Sequence, residues 1–239
     1  MTKGSVLITG GAKGIGRAIA RKFATAGYRT TICYQSSREA ALALQDEMWQ
    51  AGREFSILHA DVTKEADVTA MVAEVGRIDI LVNNAGIALT KPFLDTTEAD
   101  YNAVMDVSVR GAYLCSRAVL SQMVARQSGA IVNVSSIWGL CGASCEVIYS
   151  TAKSALIGMT RALAKEMGPS GIRINAVAPG VIATDMLADY TAEDLAALAA
   201  DTPLGRIGSP EEVADAVHFL ATHPFLTGEC LNVSGGFVI

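Results

Sequence analysis

No stretch of this chain approaches the ~18–20 consecutive apolar residues of a membrane span. No apolar core with a cleavage site follows the start Met1-Thr2-Lys3-Gly4-Ser5, so neither a membrane partner nor a secretory leader is expected. Basic charge is also short: 19 Lys and Arg face 24 Asp and Glu, a net charge of −5, which gives no electrostatic reason to expect nucleic acid. The five cysteines, Cys33, Cys115, Cys141, Cys145 and Cys230, are odd in number and irregularly spaced. They fit reduced thiols of a cytoplasmic protein better than a disulfide framework. The three histidines, His59, His218 and His223, show no ligand spacing with them, and no metal is expected. No linker, internal repeat or low-complexity tract interrupts the chain. What it does have is apolar bulk: 51% of 239 residues are hydrophobic and 18% charged, enough for a large core.

That bulk is arranged in alternation. Val6–Thr9, Thr30–Tyr34, Ser56–Ala60, Ile80–Val82, Ala130–Val134, Arg173–Ala178 and Cys230–Val233 read as strands. Several are apolar on successive residues, as in parallel strands covered on both faces. Between them Gly16–Ala26, Arg38–Ala51, Glu65–Val75, Ala99–Arg126 and Val147–Met167 are helical by composition. Another helix starts at Ser209 with Pro210 and Glu212 in capping positions. The expectation is one α/β domain, residues 1–239, with a doubly wound parallel sheet of the Rossmann type. The polar stretch Thr184–Thr202, holding a short helix Thr191–Ala200 capped by Thr191 and Asp194, is a candidate lid over the ligand crevice.

The first strand runs into Gly10-Gly11-Ala12-Lys13-Gly14-Ile15-Gly16. Gly10 allows a sharp exit from the strand. Gly14 and Gly16 remove side chains where backbone must approach a pyrophosphate, and the helix beginning there points its free N–H groups at the anion. The end of the second strand lacks the acidic residue that would take both ribose hydroxyls of NAD. It reads Tyr34-Gln35-Ser36-Ser37-Arg38 instead. Tyr34, Ser36 and Arg38, with Lys13, suit a 2′-phosphate, so the expected cofactor is NADP(H).

Tyr149 and Lys153 are one helical turn apart and share a face. A phenol with an ordinary pKa of about 10 is a poor acid–base group at neutral pH, and an adjacent ammonium is expected to lower it. Ser136 follows the strand ending at Val134, so its hydroxyl stands at a carboxyl end, where ligands bind. These three residues are candidates for carbonyl reduction: Tyr149 the acid, Ser136 the oxygen holder and Lys153 the modulator.

With these motifs the chain resembles the short-chain dehydrogenase/reductase family over essentially its whole length. The matching segments are the glycine run, Asp61-Val62, Asn83-Asn84-Ala85-Gly86, Ser136, Tyr149 with Lys153, and Pro179-Gly180-Val181-Ile182-Ala183-Thr184. The resemblance implies a seven-stranded sheet and a homotetramer. It implies Asp61 and Val62 at the adenine, Asn84, Ala85 and Gly86 beside the cofactor, and Lys153 on the nicotinamide ribose. It also implies Pro179, Gly180, Ile182 and Thr184 near the carboxamide and diphosphate. Within the family the chain looks most like the 3-oxoacyl-acyl-carrier-protein reductases of fatty acid biosynthesis, with a carrier-bound acyl substrate. The alternative of another class is a non-catalytic, NADP(H)-sensing protein, disfavoured because both Tyr149 and Lys153 are present.

Three departures stand out. Ser108 occupies the place where the family carries an asparagine that completes a tetrad and holds a relay water. Gln127 and Ser170 stand where carrier-protein reductases present basic residues at the active-site mouth. Glu146 places a carboxylate just before Tyr149, which disfavours an anionic substrate and favours an amine-bearing one. The run through Ser135–Gly139 and Gly142–Val147 is also similar to a subgroup that reduces a 5-aminopentanone group on a lysine of elongation factor P.

Overall fold

Strands β1 (Ser5–Thr9), β2 (Arg29–Tyr34), β3 (Phe55–His59), β4 (Ile80–Asn83), β5 (Gly129–Val134), β6 (Ile172–Pro179) and β7 (Cys230–Val233) alternate with helices. They form one sheet in the order β3-β2-β1-β4-β5-β6-β7, every pair parallel. The helices are α1 (Gly14–Thr25), α2 (Arg38–Gln50), α3 (Glu65–Val75), α4 (Glu98–Met105), α5 (Gly111–Ala125), the single turn α6 (Trp138–Cys141), α7 (Val147–Met167), α8 (Ala192–Asp201) and α9 (Pro210–Thr222). The computed structural model describes residues 3–188 and 190–238. Met1, Thr2, Asp189 and Ile239, included in the expected domain and, for Asp189, in the expected lid, lie outside the described residues. Among the described residues no helix is long and apolar enough to cross a membrane.

The strands are apolar on successive residues because both faces are covered. Val6 and Ile8 of β1 pack with α1, α2 and α9, while Leu7 points the other way, into the layer with Leu81, Ile131, α3 and α5. From β1 the chain steps outward to β3, then returns to lay β4 on the other side of β1. That reversal opens a crevice at the carboxyl ends of β1 and β4, which is where such sheets bind ligands.

Two elements differ from expectation. The helix expected over Ala99–Arg126 is helical throughout, but Asp106–Arg110 forms a wider π turn between α4 and α5. Composition cannot signal this, because an extra residue in one turn rotates the downstream face by about 100° without changing the residue content; such turns recur at functional sites. The turn precedes Gly111, whose missing side chain admits Val62: a Cβ there would come within 2.8 Å of Val62 Cγ2. The short turn α6 also has no periodic signal. The remaining element boundaries shift by one or two residues, within the range set by fraying ends.

Candidate active site

The glycine turn is built by backbone rather than by side chains. Gly10 has φ +63°, a conformation that suits glycine. A Cβ on Gly16 would lie 2.3 Å from the Gly10 carbonyl oxygen, so the start of α1 sits directly on the turn. Thr9 and Asn84 lock it in place. Thr9 Oγ1 accepts from the N–H groups of Asn84 and Ala85, each at 3.0 Å. Asn84 Nδ2 donates to the carbonyls of Thr9 and Gly10 at 3.0 and 2.9 Å. The side-chain amide of Asn84, expected beside the cofactor, is thus spent on holding β1 to β4. The cradle left free of side chains at the N-terminus of α1 fits a dinucleotide's pyrophosphate.

Tyr149, Lys153, Ser136 and Glu146 line one cavity of about 390 Å³ with Gly10, Lys13, Gly14, Ile15, Gly16, Asn84, Ala85, Gly86, Pro179, Gly180, Ile182 and Thr184. The residues expected at the adenine side, Tyr34, Ser36, Arg38, Asp61 and Val62, are not part of its wall. Arg38 and Ser36 are exposed at the start of α2. Asp61 accepts from Thr63 Oγ1 at 2.7 Å and pairs with Lys64 at 3.5 Å, and Val62 is buried against Gly111. Wall residues that the sequence reading missed are Thr90, Trp138, Asp185, Tyr190 and Leu198. Thr90 comes from a loop, Trp138 from the turn α6, and the other three from the expected lid, and no spacing in the sequence marks them as wall residues.

Lys153 is buried, and its Nζ donates to the Val134 carbonyl at 3.0 Å and stands 5.5 Å from the centroid of the Tyr149 ring. Burial pushes the ammonium down to about 8. Helix α7 is held at this height by Ser135 Oγ, which donates to the Lys153 carbonyl at 2.7 Å. Ser136 Oγ accepts from the Trp138 N–H at 3.2 Å.

The expected lowering of the Tyr149 pKa is not what this arrangement gives. Burial pushes the phenol up to about 12; the Ser136 hydroxyl opposes the rise and the Glu146 carboxylate adds to it. Desolvation of the phenolate outweighs the charge effects, so Tyr149 is fully protonated at neutral pH, the form that can give a proton. Glu146 is itself pushed up by burial, with the Thr90 hydroxyl opposing.

Ser108 lies in the π turn, buried, and its Oγ has no hydrogen-bond partner among the described residues. A side chain added at Gly86 would come within 3.2 Å of Lys153 Nζ and 3.5 Å of Ser108 Oγ. The orphan hydroxyl and the buried ammonium therefore flank the same backbone.

Gln127 and Ser170 sit elsewhere. They precede β5 and β6, which pair from Gly129 and Ile172 onward, whereas the cavity wall follows those strands at Val134–Trp138 and Pro179–Leu187. At about 3.3 Å per residue, six paired residues put some 20 Å of sheet between them and the site. Within one chain these positions are at the opposite end of the sheet from its mouth. Among the described residues no group of three or more His, Cys, Asp or Glu side chains is placed to hold a metal ion.

A family profile described as Enoyl-(Acyl carrier protein) reductase matches residues 10–238. A 3-oxoacyl-[acyl-carrier-protein] reductase of Synechocystis sp. is 39% identical, the match covering 100% of this chain and 98% of that protein. Among solved structures, a 3-oxoacyl-[acyl-carrier protein] reductase from Brucella melitensis superposes with a TM-score of 0.95 at 34% identity, covering 100% of this chain and 92% of that one. A putative gluconate dehydrogenase from Agrobacterium tumefaciens gives 0.94 at 32%, covering 100% and 98%.

Proposed function

The chain belongs to the short-chain dehydrogenase/reductase family, oxidoreductases built around a nicotinamide cofactor, and from that premise we propose that it is an NADPH-dependent reductase of 3-oxoacyl thioesters. The observation that carries this reading is the convergence of a protonated Tyr149, Ser136 and Lys153 on one cavity that ends in the glycine cradle. The bound cofactor supplies a hydride to the carbonyl carbon. Ser136 orients the carbonyl oxygen. As the C=O π pair collects on that oxygen, Tyr149 Oη gives it a proton, and a 3-hydroxyacyl product results. On this reading Lys153 and Ser108, which flank the backbone of Gly86, provide the route by which the proton is replaced. Exposed Arg38 and Ser36, with Lys13 in the glycine turn, are suited to a 2′-phosphate.

The names of the Synechocystis and Brucella relatives support a thioester on a carrier protein. The equally good superposition of the putative gluconate dehydrogenase means that shape alone does not choose the substrate. A homotetramer in the cytoplasm is part of this reading, by resemblance to the family.

Glu146 favours a second reading. Its half-buried carboxylate forms part of the cavity wall close enough to Tyr149 to raise the phenol, and it would pair with an ammonium. That fits an amine-bearing ketone such as the 5-aminopentanone group on a lysine of elongation factor P. A substrate panel with NADPH separates the two. The thioester reading predicts oxidation of NADPH with acetoacetyl thioesters and little effect of Glu146→Gln. If the amine-bearing ketone is preferred, Glu146→Gln lowers its kcat/KM by about thirtyfold or more, the cost of removing one partner of a desolvated pair. Absence of turnover with both would leave the sensing role.

A further inference from the structure

The lid is almost free of the body. It is hinged at one end by the bridge between Ile182 and Gly208, where the Ala183 N–H donates to the Gly208 carbonyl at 2.9 Å. At the other end the Leu204 N–H donates to the Gly235 carbonyl at 3.2 Å. Between these hinges, the hydrogen bonds made by described residues 184–202 stay within the segment, apart from the Thr202 carbonyl, which accepts from the Gly205 N–H at 2.7 Å. Helix α8 has no buried residue. Among the described residues 184–201 the polar link to the body is one ion pair: Asp185 Oδ2 lies 3.8 Å from Lys13 Nζ, both side chains largely exposed. Lys13 is the cation of the glycine turn, and both residues line the cavity.

One ammonium thus serves two anions. The cofactor would offer Lys13 its pyrophosphate, singly charged on each phosphate and lying in the cradle where α1 offers its free N–H groups, or its 2′-phosphate, a monoester that carries more charge than a carboxylate. Asp185 then loses its partner and meets like charge.

We propose that Asp185 is a selectivity-determining residue for the cofactor: it competes with a cofactor phosphate for Lys13, and through that competition it ties the lid's position to cofactor occupancy. By thermodynamic reciprocity, whatever the phosphate does to the Lys13–Asp185 tether, the tether does to the affinity for the phosphate. The tether holds the lid down in the free protein and weakens cofactor binding. Cofactor arrival breaks that tether. This rests on the reading of Lys13 as a phosphate-binding residue of an NADPH enzyme.

The test is a double-mutant cycle on cofactor affinity. NADPH and NADH are titrated by fluorescence quenching into the wild type, Asp185→Asn, Lys13→Ala and the double variant at low ionic strength. Deuterium uptake over residues 185–201 is followed in the cofactor-free proteins. Asp185→Asn is expected to tighten NADPH roughly two- to fivefold, the scale of an exposed ion pair, and to do nothing in the Lys13→Ala background. Deuterium uptake over the lid should rise in both single variants and no further in the double. A gain for NADPH alone assigns the competition to the 2′-phosphate; a gain for both cofactors assigns it to the pyrophosphate. Unchanged or weaker NADPH binding in Asp185→Asn overturns the proposal, as does a gain that persists without Lys13, which would be a bulk charge effect. Unchanged lid exchange in Asp185→Asn overturns the tether. If Lys13→Ala weakens NADPH while Asp185→Asn is silent, this inference falls alone. If Lys13→Ala leaves NADPH binding intact, the phosphate role of Lys13 falls first.

Discussion

Lys153 places a pH limit on the enzyme. Its ammonium is held down to about 8 by burial, against an ordinary value of about 10.4. The charged form therefore persists below pH 8 and is lost above it, well before Tyr149, at about 12, gives up its proton. Because kcat/KM for NADPH reports groups of the free enzyme, it should be flat to about pH 8 and then fall close to tenfold per pH unit. A profile still flat at pH 10 would mean that the ammonium is held charged by a group other than those around it here. The same shift has the opposite sign for stability. Between about pH 10 and 8 the unfolded chain takes up a proton that the native state does not, so this lysine costs stability as pH falls through that window and adds no further cost below it. The motif Tyr149…Lys153 was legible in sequence because a helix fixes the geometry of residues four apart. The direction of the Tyr149 shift was not legible, because burial by distant segments decides it.

At the scale of elements, the π turn and the lid helix carry separable expectations. Ser108→Ala removes a buried hydroxyl that has no hydrogen-bond partner among the described residues. Deleting an unpaired group does not strand another, so Tm should hold or rise slightly while kcat falls if that hydroxyl serves the proton route. Unchanged kcat would remove Ser108 from the relay. In α8, Thr191 and Asp194 form a capping box, as the residue pattern predicts. Loss of an N-cap costs about 1 kcal/mol, and α8 shares no core with the body. Thr191→Ala should thus speed amide exchange in residues 192–201 about fivefold and leave the global Tm unchanged; a clear drop in Tm would show that the lid folds with the sheet. Caps and strands are read from neighbours in sequence. The π turn is not, since it lies where Gly111 meets Val62 and Ser108 comes close to Gly86.

At the scale of the whole molecule, βα alternation was enough to anticipate a parallel, doubly wound sheet, and the two ends of that sheet account for the rest. Carboxyl-end residues gather at the crevice, so Gly10, Ser136 and Ile182, 172 positions apart at the extremes, line one cavity. Gln127 and Ser170 precede their strands and fall at the other end, which a position-by-position match to a family does not reveal. Lys13 was visible in sequence and Asp185 was not, except as one residue of the expected lid, and their pairing depends on the lid folding back over the glycine turn.

In the proposed NADPH-dependent carbonyl reduction Tyr149 supplies the proton, and the most direct measurement compares wild type with Tyr149→Phe. NADPH affinity and oxidation of NADPH by an acetoacetyl thioester are measured on the same preparations. The wild type should turn over. The variant should bind NADPH within about threefold of the wild type and lose on the order of a hundredfold or more in kcat, the usual worth of a positioned general acid. If the variant keeps more than about a tenth of kcat, a barrier change under ~1.4 kcal/mol, Tyr149 is not the acid.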